Sequence, residues 1–269
     1  MRLITFIILM TVLSITGIPA SALTVDEIVN KSNQSAYYKG RDGSAQVSMT
    51  INDSQQRTRK RKFNILRLDV QDKKTNDESY CGDQKYYVYF QLPADVNKMV
   101  FMVWKHLSSD DDRWLYLPAL DLVKRISSKE KRTSFVGSDF FYEDVSGRNI
   151  NDDTHELIKE DENFFTLKNT PKKSGSVEFS SYTAWIHKET FLAVKIEYFD
   201  SKGEKYREYK ALNVEYIQDY PTVTKAKMND LRTGSETVLE YSNVKYNIDL
   251  PENIFTERYL RRAPLKYLK

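Results

Sequence analysis

A single cysteine, Cys81, stands among 269 residues. With no partner in the chain it excludes a disulfide framework, and it reads as a small half-buried side chain, not a reactive thiol. Histidine is almost as scarce: His106, His155 and His187 are the three, and none has the close spacing of a zinc-ligand pair. GxSxG, GxGxxG and Walker-type loops are missing, which removes the usual grounds for an elbow-type serine hydrolase or a nucleotide cofactor. No metal and no cofactor is therefore expected, and no catalytic residues are assigned. Excess charge of one sign is lacking too. The 41 Lys and Arg against 38 Asp and Glu leave a formal +3, too balanced for a nucleic-acid binder.

One long apolar run is present, at the start. Arg2 is followed by LITFIILMTVLSITGI and then Ala20-Ser21-Ala22, the layout of a cleavable secretory signal over residues 1–22 with cleavage near Ala22. Residues 23–269 show no internal repeat, no low-complexity linker and no composition break, so they are expected to form one domain. The real excess is aromatic: 18 Tyr and 13 Phe, a content that suits strands and apolar or amphipathic ligand surfaces.

Thr24-Val-Asp-Glu27 has the form of a capping box and predicts a helix to about Tyr38, ended by Gly40. From Gly43 the period becomes two. Ala45, Val47, Met49 and Ile51 alternate with polar neighbours, Asn52-Asp53-Ser54 turns the chain, and a strand follows from Arg57 to Val70. Its RTRKRK opening reads as a charge-protected strand edge. KKTNDESYCGDQ predicts a loop. Tyr86–Leu92 and Met99–Trp104 are apolar on both faces, so both faces must be covered, by protein or by a ligand. After residue 150 a meander of hairpins runs to Lys245, which predicts a barrel or strongly curved sheet. Pro251–Arg258 predicts a short last helix, and the basic tail after it is expected to be solvated, with contact to an anionic membrane surface as the alternative.

The segment Asp112–Asp144 is the densest in unusual chemistry. Trp114 and Tyr116 alternate with Leu115 and Leu117, Pro118 stops that strand, and Leu122–Ile126 returns as its partner. Gly137-Ser138-Asp139 predicts a helix N-cap ahead of Phe140, Phe141 and Tyr142. Three consecutive aromatics on so short an element are expected to reach into a cavity or to plug a barrel end. The carboxylates Asp139, Glu143 and Asp144 keep one rival open, a secreted hydrolase acting on lipid or glycan. The triplet Asp110-Asp111-Asp112 reads as a solvated turn, because it lacks the spacing of a calcium loop.

Trp114-Leu-Tyr-Leu-Pro-Ala-Leu120, Val123-Lys-Arg-Ile126, Phe135-x-Gly-Ser-Asp-Phe140 and Tyr142-Glu-Asp144 resemble the signature of the LolA-like outer-membrane lipoprotein-sorting proteins. Leu92-Pro-Ala-Asp-Val96 and the strand ending at Trp104 fit the same pattern. The resemblance covers essentially the mature chain. It implies a mainly β, α+β fold: an unclosed antiparallel β-barrel of the LolA/LolB type, with a few helices covering the open side of an apolar cavity. It also implies a periplasmic, non-enzymatic carrier of lipid or lipoprotein acyl chains, often associated with RND-type inner-membrane exporters. On that reading Trp104, Trp114, Tyr116, Phe135, Phe140 and Phe141 are the candidate cavity residues. Lys124 and Arg125 are the candidate contacts for a phosphate head group or an acidic partner.

Overall fold

The computed structural model describes residues 22–71 and 79–268. The expected signal segment, apart from Ala22, and the first part of the KKTNDESYCGDQ loop lie outside these residues. The chain begins with α1 (Val25–Tyr37), where the Thr24 hydroxyl accepts from the Glu27 amide at 3.3 Å and the Glu27 carboxylate accepts from the Thr24 amide at 2.7 Å. Gly40 follows at φ +60°, and a Cβ there would sit 2.6 Å from Asn247 Oδ1, so glycine is required twice over.

Six strands come next: β1 (Asp42–Asn52), β2 (Thr58–Asp69), β3 (Gln84–Leu92), β4 (Val100–Lys105), β5 (Asp112–Leu117) and β6 (Leu122–Arg125). A connection carrying α2 (Tyr142–Ser146) leads to seven more: β7 (Asp153–Glu160), β8 (Phe164–Pro171), β9 (Ser181–His187), β10 (Ala193–Phe199), β11 (Lys205–Ile217), β12 (Tyr220–Asp230) and β13 (Ser235–Tyr246). The thirteen strands form one antiparallel sheet in the order β6-β5-β4-β3-β2-β1-β13-β12-β11-β10-β9-β8-β7. Two meanders are thus joined where β1 pairs with β13, Val47 opposite Tyr241. Strands β6 and β7 are the two free edges and do not pair with each other. The barrel is unclosed, as the family resemblance implies.

The doubly apolar strands are covered by protein on both faces. Along β4, Phe101 and Val103 join the cluster on the concave side, while Val100 and Met102 pack outward with Leu250, Ile254, Phe255, Leu260 and Leu268. This outer cover is the C-terminal segment, expected from sequence to be solvated. The Asp42 carboxylate starts it by accepting from the Ile248 and Leu250 amides at 2.7 and 3.0 Å. Trp104 Nε1 then donates to the Phe255 carbonyl at 2.8 Å, and the Tyr87 hydroxyl donates to that of Tyr259 at 2.7 Å. In place of one helix there is a 3-10 turn at Glu252–Ile254 and then α3 (Arg258–Arg261). The break has a physical reason. On a continuous helix Ile254, Phe255 and Leu260 would point around more than half the circumference, whereas here all three are buried.

Helix α1 covers the open side. Ile28 and Val29 pack with Phe165, Leu167 and Ile186 of β8 and β9. At the far end, the Arg67 guanidinium on β2 donates to the carbonyls of Tyr37, Lys39 and Gly40 at 2.8, 2.6 and 2.7 Å.

Candidate functional site: an apolar cavity under the first helix

The connection between the two edge strands crosses the concave face. Its Asp139 amide donates to Thr237 Oγ1 on β13 at 3.0 Å, and Arg207 of β11 donates to the Asp139 carbonyl at 2.8 Å. Over β2–β5 it fills the concavity. Phe135 lies 5.5–6.2 Å, centroid to centroid, from Phe63, Phe90, Phe101 and Tyr142, spacings that favour tilted and edge-on aromatic contact. Over β1, β2 and β9–β13 nothing fills it. A cavity of about 410 Å³ remains there, partly open and bounded by α1, the α2 segment and the sheet, within the size range of small-molecule sites. Its apolar wall includes Ala45, Met49, Ile65, Ala226, Met228 and Leu239. Small residues at 45 and 226 leave open space where larger side chains would meet those of the covering segment.

Tyrosines form the other wall. Tyr37, Tyr198, Tyr209 and Tyr241 line the cavity, and burial raises the pKa of each hydroxyl, for Tyr198 and Tyr241 to about 12. They stay protonated at neutral pH and act as neutral hydrogen-bond donors. Where the cavity meets the α2 segment lies a network of ion pairs. Glu143 contacts Lys131 at 2.8 Å, Arg132 at 3.0 Å and Arg148 at 3.5 Å. Arg132 also reaches Glu178 at 2.7 Å, and Arg148 reaches Asp153 at 2.8 Å. Burial would raise the Glu143 pKa, but Arg132, Lys131 and Arg148 more than reverse it and bring it down to about 2.

The sequence candidates fall into three places. Phe135 and Phe140 line the cavity. Phe141 contacts two guanidiniums, with Arg132 at 4.8 Å and Arg207 at 4.0 Å from its ring centroid. Trp104, Trp114 and Tyr116 are on the opposite face of the sheet, under or beside the C-terminal segment; the two indoles are 5.1 Å apart and Arg261 is 5.8 Å from the Tyr116 ring. The strand alternation of Arg113–Leu117 holds, but the register turns Leu115 and Leu117 to the concave side and the aromatics outward. Lys124 pairs with Glu130 at 2.6 Å; Arg125 pairs with Asp112 and covers the Trp114 ring at 4.9 Å. Both are away from the cavity, on edge strand β6.

Gly137-Ser138-Asp139 does not cap a helix. The Ser138 hydroxyl donates to the Phe135 carbonyl at 2.7 Å and lies 3.2 Å from the Phe140 amide, which it accepts, making a tight turn. Helix α2 starts only at Tyr142, where the Asp144 carboxylate accepts from the Phe141 amide at 2.7 Å. The carboxylates of the hydrolase rival all have structural partners: Asp139 takes hydrogen bonds from Ser235 and Thr237, Glu143 sits among three cations, and Asp144 pairs with Arg207. In the acidic triplet, Asp111 pairs with Arg113 and Asp112 with Arg125.

Lys39 and the cavity tyrosines, Tyr37, Tyr198, Tyr209 and Tyr241 among them, were missed from sequence. The only signal available was alternation, which places Leu239 and Tyr241 on one side of β13 without saying that the side is hollow.

A family model described as an uncharacterized protein matches residues 82–262. No curated protein matches the chain. Among solved structures, a DUF1329 family protein from Desulfovibrio piger is 28% identical with a TM-score of 0.78, covering 88% of this chain and 97% of that one. A domain from Vibrio parahaemolyticus, assigned by name to outer membrane lipoprotein sorting, is also 28% identical, with a TM-score of 0.76 and the same coverage. A LolA superfamily protein from Nitrosomonas europaea shares the fold at 20% identity and a TM-score of 0.66, over 88% of this chain and all of that one. The matched family model spans more than half of the chain, so this protein belongs to that family of uncharacterized proteins, and over most of its length it shares its fold with these three solved structures.

Proposed function

We propose that the protein is a periplasmic carrier that buries the acyl chains of a lipid or lipoprotein in the cavity beneath α1 and passes them between partners of the cell envelope. The observation that carries this reading is the hollow: a sheet whose concave face is plugged over β2–β5 by Phe135 and its neighbours but left as a cavity of about 410 Å³ beneath α1. Each buried methylene contributes roughly 0.8 kcal/mol, so about ten give a gross gain near 8 kcal/mol. That is the scale of micromolar binding before ordering costs are subtracted. Release then needs α1 or the α2 segment to move, or a partner that competes for the chain. An RND-type inner-membrane exporter and brief contact with a membrane surface belong to the same reading; the first follows from the family resemblance, the second from the basic C-terminal segment. Arg258, Arg262 and Lys266 of that segment are exposed and basic, which suits the latter, while Arg261 is paired with Asp121 at 2.9 Å.

The test is mass spectrometry of a solvent extract of the protein purified from its native envelope, together with titration of a fluorescent fatty acid. Stoichiometric lipid and saturable uptake are expected for the native chain, and loss of both for Ala226→Trp, which fills the cavity. An empty protein with no saturable uptake would overturn the carrier reading.

A further inference from the structure

Five charged residues line the cavity, and four of them have opposite charges beside them. Arg67 pairs with Asp69 at 2.6 Å, Arg132 and Arg148 pair with Glu143, and Asp144 pairs with Arg207. Lys39 is the exception. It is 9% exposed, it lines the cavity, and among the described residues its ammonium has neither a carboxylate nor a hydrogen-bond acceptor. An ammonium on a largely buried side chain, facing a cavity with no partner, is costly. Burial and then the Arg67 charge bring its pKa down to about 8, so at neutral pH it is still mostly protonated and its positive charge awaits a counter-ion.

The surroundings keep that charge in place. Lys39 stands in the short link between α1 and β1, and the Arg67 guanidinium grips this link through the carbonyls of residues 37, 39 and 40. The backbone is therefore held, and the one mobile part is the side chain. The same cavity carries the Tyr37, Tyr198, Tyr209 and Tyr241 hydroxyls, protonated donors with no protein acceptor among the described residues. A cation and several neutral donors above an apolar floor recognise anionic oxygen attached to a hydrocarbon chain.

We propose that Lys39 is the anchor for an anionic head group, so that the cavity selects long-chain amphiphiles ending in a carboxylate or a phosphate. This rests on the carrier reading and adds the chemical class of its ligand. A free fatty acid and a phosphate-headed lipid share the chemistry; two probes tell them apart.

Binding of hexadecanoate, hexadecyl phosphate and hexadecanol to the full mature chain is measured at pH 7 by calorimetry. At least one anionic probe is expected to bind about tenfold or more tightly than hexadecanol, the scale of one charge-assisted hydrogen bond. Which of the two binds tighter identifies the head group. In Lys39→Met, an unbranched apolar replacement, that preference is expected to vanish while hexadecanol binding persists. The thermal midpoint is expected to stay or rise, because the variant removes an unpaired buried charge. Equal binding of all three probes to the native chain, or a preference that survives in Lys39→Met, overturns the anchor and leaves the carrier standing. Failure of all three to bind overturns both.

Discussion

The Arg207 guanidinium carbon lies 4.0 Å from the centre of the Phe141 ring, and its charge is at the same time paired with Asp144. Arg132 occupies a second position on the same ring at 4.8 Å. One aromatic side chain thus contacts two largely buried cations, and each cation is neutralised by carboxylates of the α2 segment. This stack fastens the connection between edge strands β6 and β7 to strand β11 in the far meander. It explains why a five-residue helix keeps its place across the mouth of an unclosed barrel. Arg207 is 1% exposed, so the attraction acts at low local dielectric.

Removing this cation takes from Asp144 one of its two guanidinium partners and leaves Arg132 at 3.6 Å as the other. Arg207→Ala is expected to lower unfolding free energy by about 2–3 kcal/mol, less than for a buried pair broken outright. Chemical denaturation checks this. Arg207→Lys should recover part of the loss, since charge returns without the planar stacking surface.

Glu143 predicts an acid limit. Its folded pKa is lowered from the ordinary 4.5 to about 2, so the unfolded chain takes up a proton first as pH falls. The stabilisation is fully present above about pH 4.5 and is lost progressively down to about pH 2. Glu143→Gln should be less stable than the native chain at pH 7, with the gap closing across that window. Thermal melts at pH 7, 4.5, 3.5 and 2.5 measure it; a constant gap would refute the assignment.

Phe135 is the centre of the plug, 2% exposed and surrounded by four aromatic rings. Phe135→Ala is expected to cost about 3–5 kcal/mol through lost burial and the cavity left behind. The new space adjoins the existing cavity, so chain-length preference in acyl binding should move toward longer chains. Phe135→Leu should cost less and shift it less.

Truncation after residue 250 strips the outer face of β3–β5 of its cover. Tyr87, Met102 and Trp114, each at most 3% exposed, would meet water. Increased binding of an apolar dye, a red shift in tryptophan emission from Trp104 and Trp114, and aggregation are the expected outcomes. A truncated chain with native emission and native solubility would show that the segment is dispensable.

The α1 boundaries and the hairpin meander were legible because they are local, whereas the unclosed sheet was implied only by the family resemblance. Thr24 and Glu27 are three residues apart, β1 alternates every second residue, and each hairpin turn is written in adjacent positions. The plug was legible in Phe135 and Phe140, where density of aromatics alone marks a buried segment. Trp104, Trp114 and Tyr116 show the limit. Their alternation was read correctly, but a strand pattern defines two faces and does not say which of them is concave.

What the sequence by itself determined is therefore the set of elements, their order and the need to cover β3 and β4 on both sides. Tertiary structure alone decided what covers each side. The basic tail lies over one face because Asp42 captures the amides of Ile248 and Leu250, more than 200 positions away. On the other side, a cavity exists only where strands from both meanders, α1 and the α2 segment converge without enough side-chain volume to meet. Lys39 owes its meaning to that convergence. In the sequence it is one of many lysines, and an unpaired charge at the cavity wall becomes a property of the protein only once folding has buried most of the side chain and placed no counter-charge beside it.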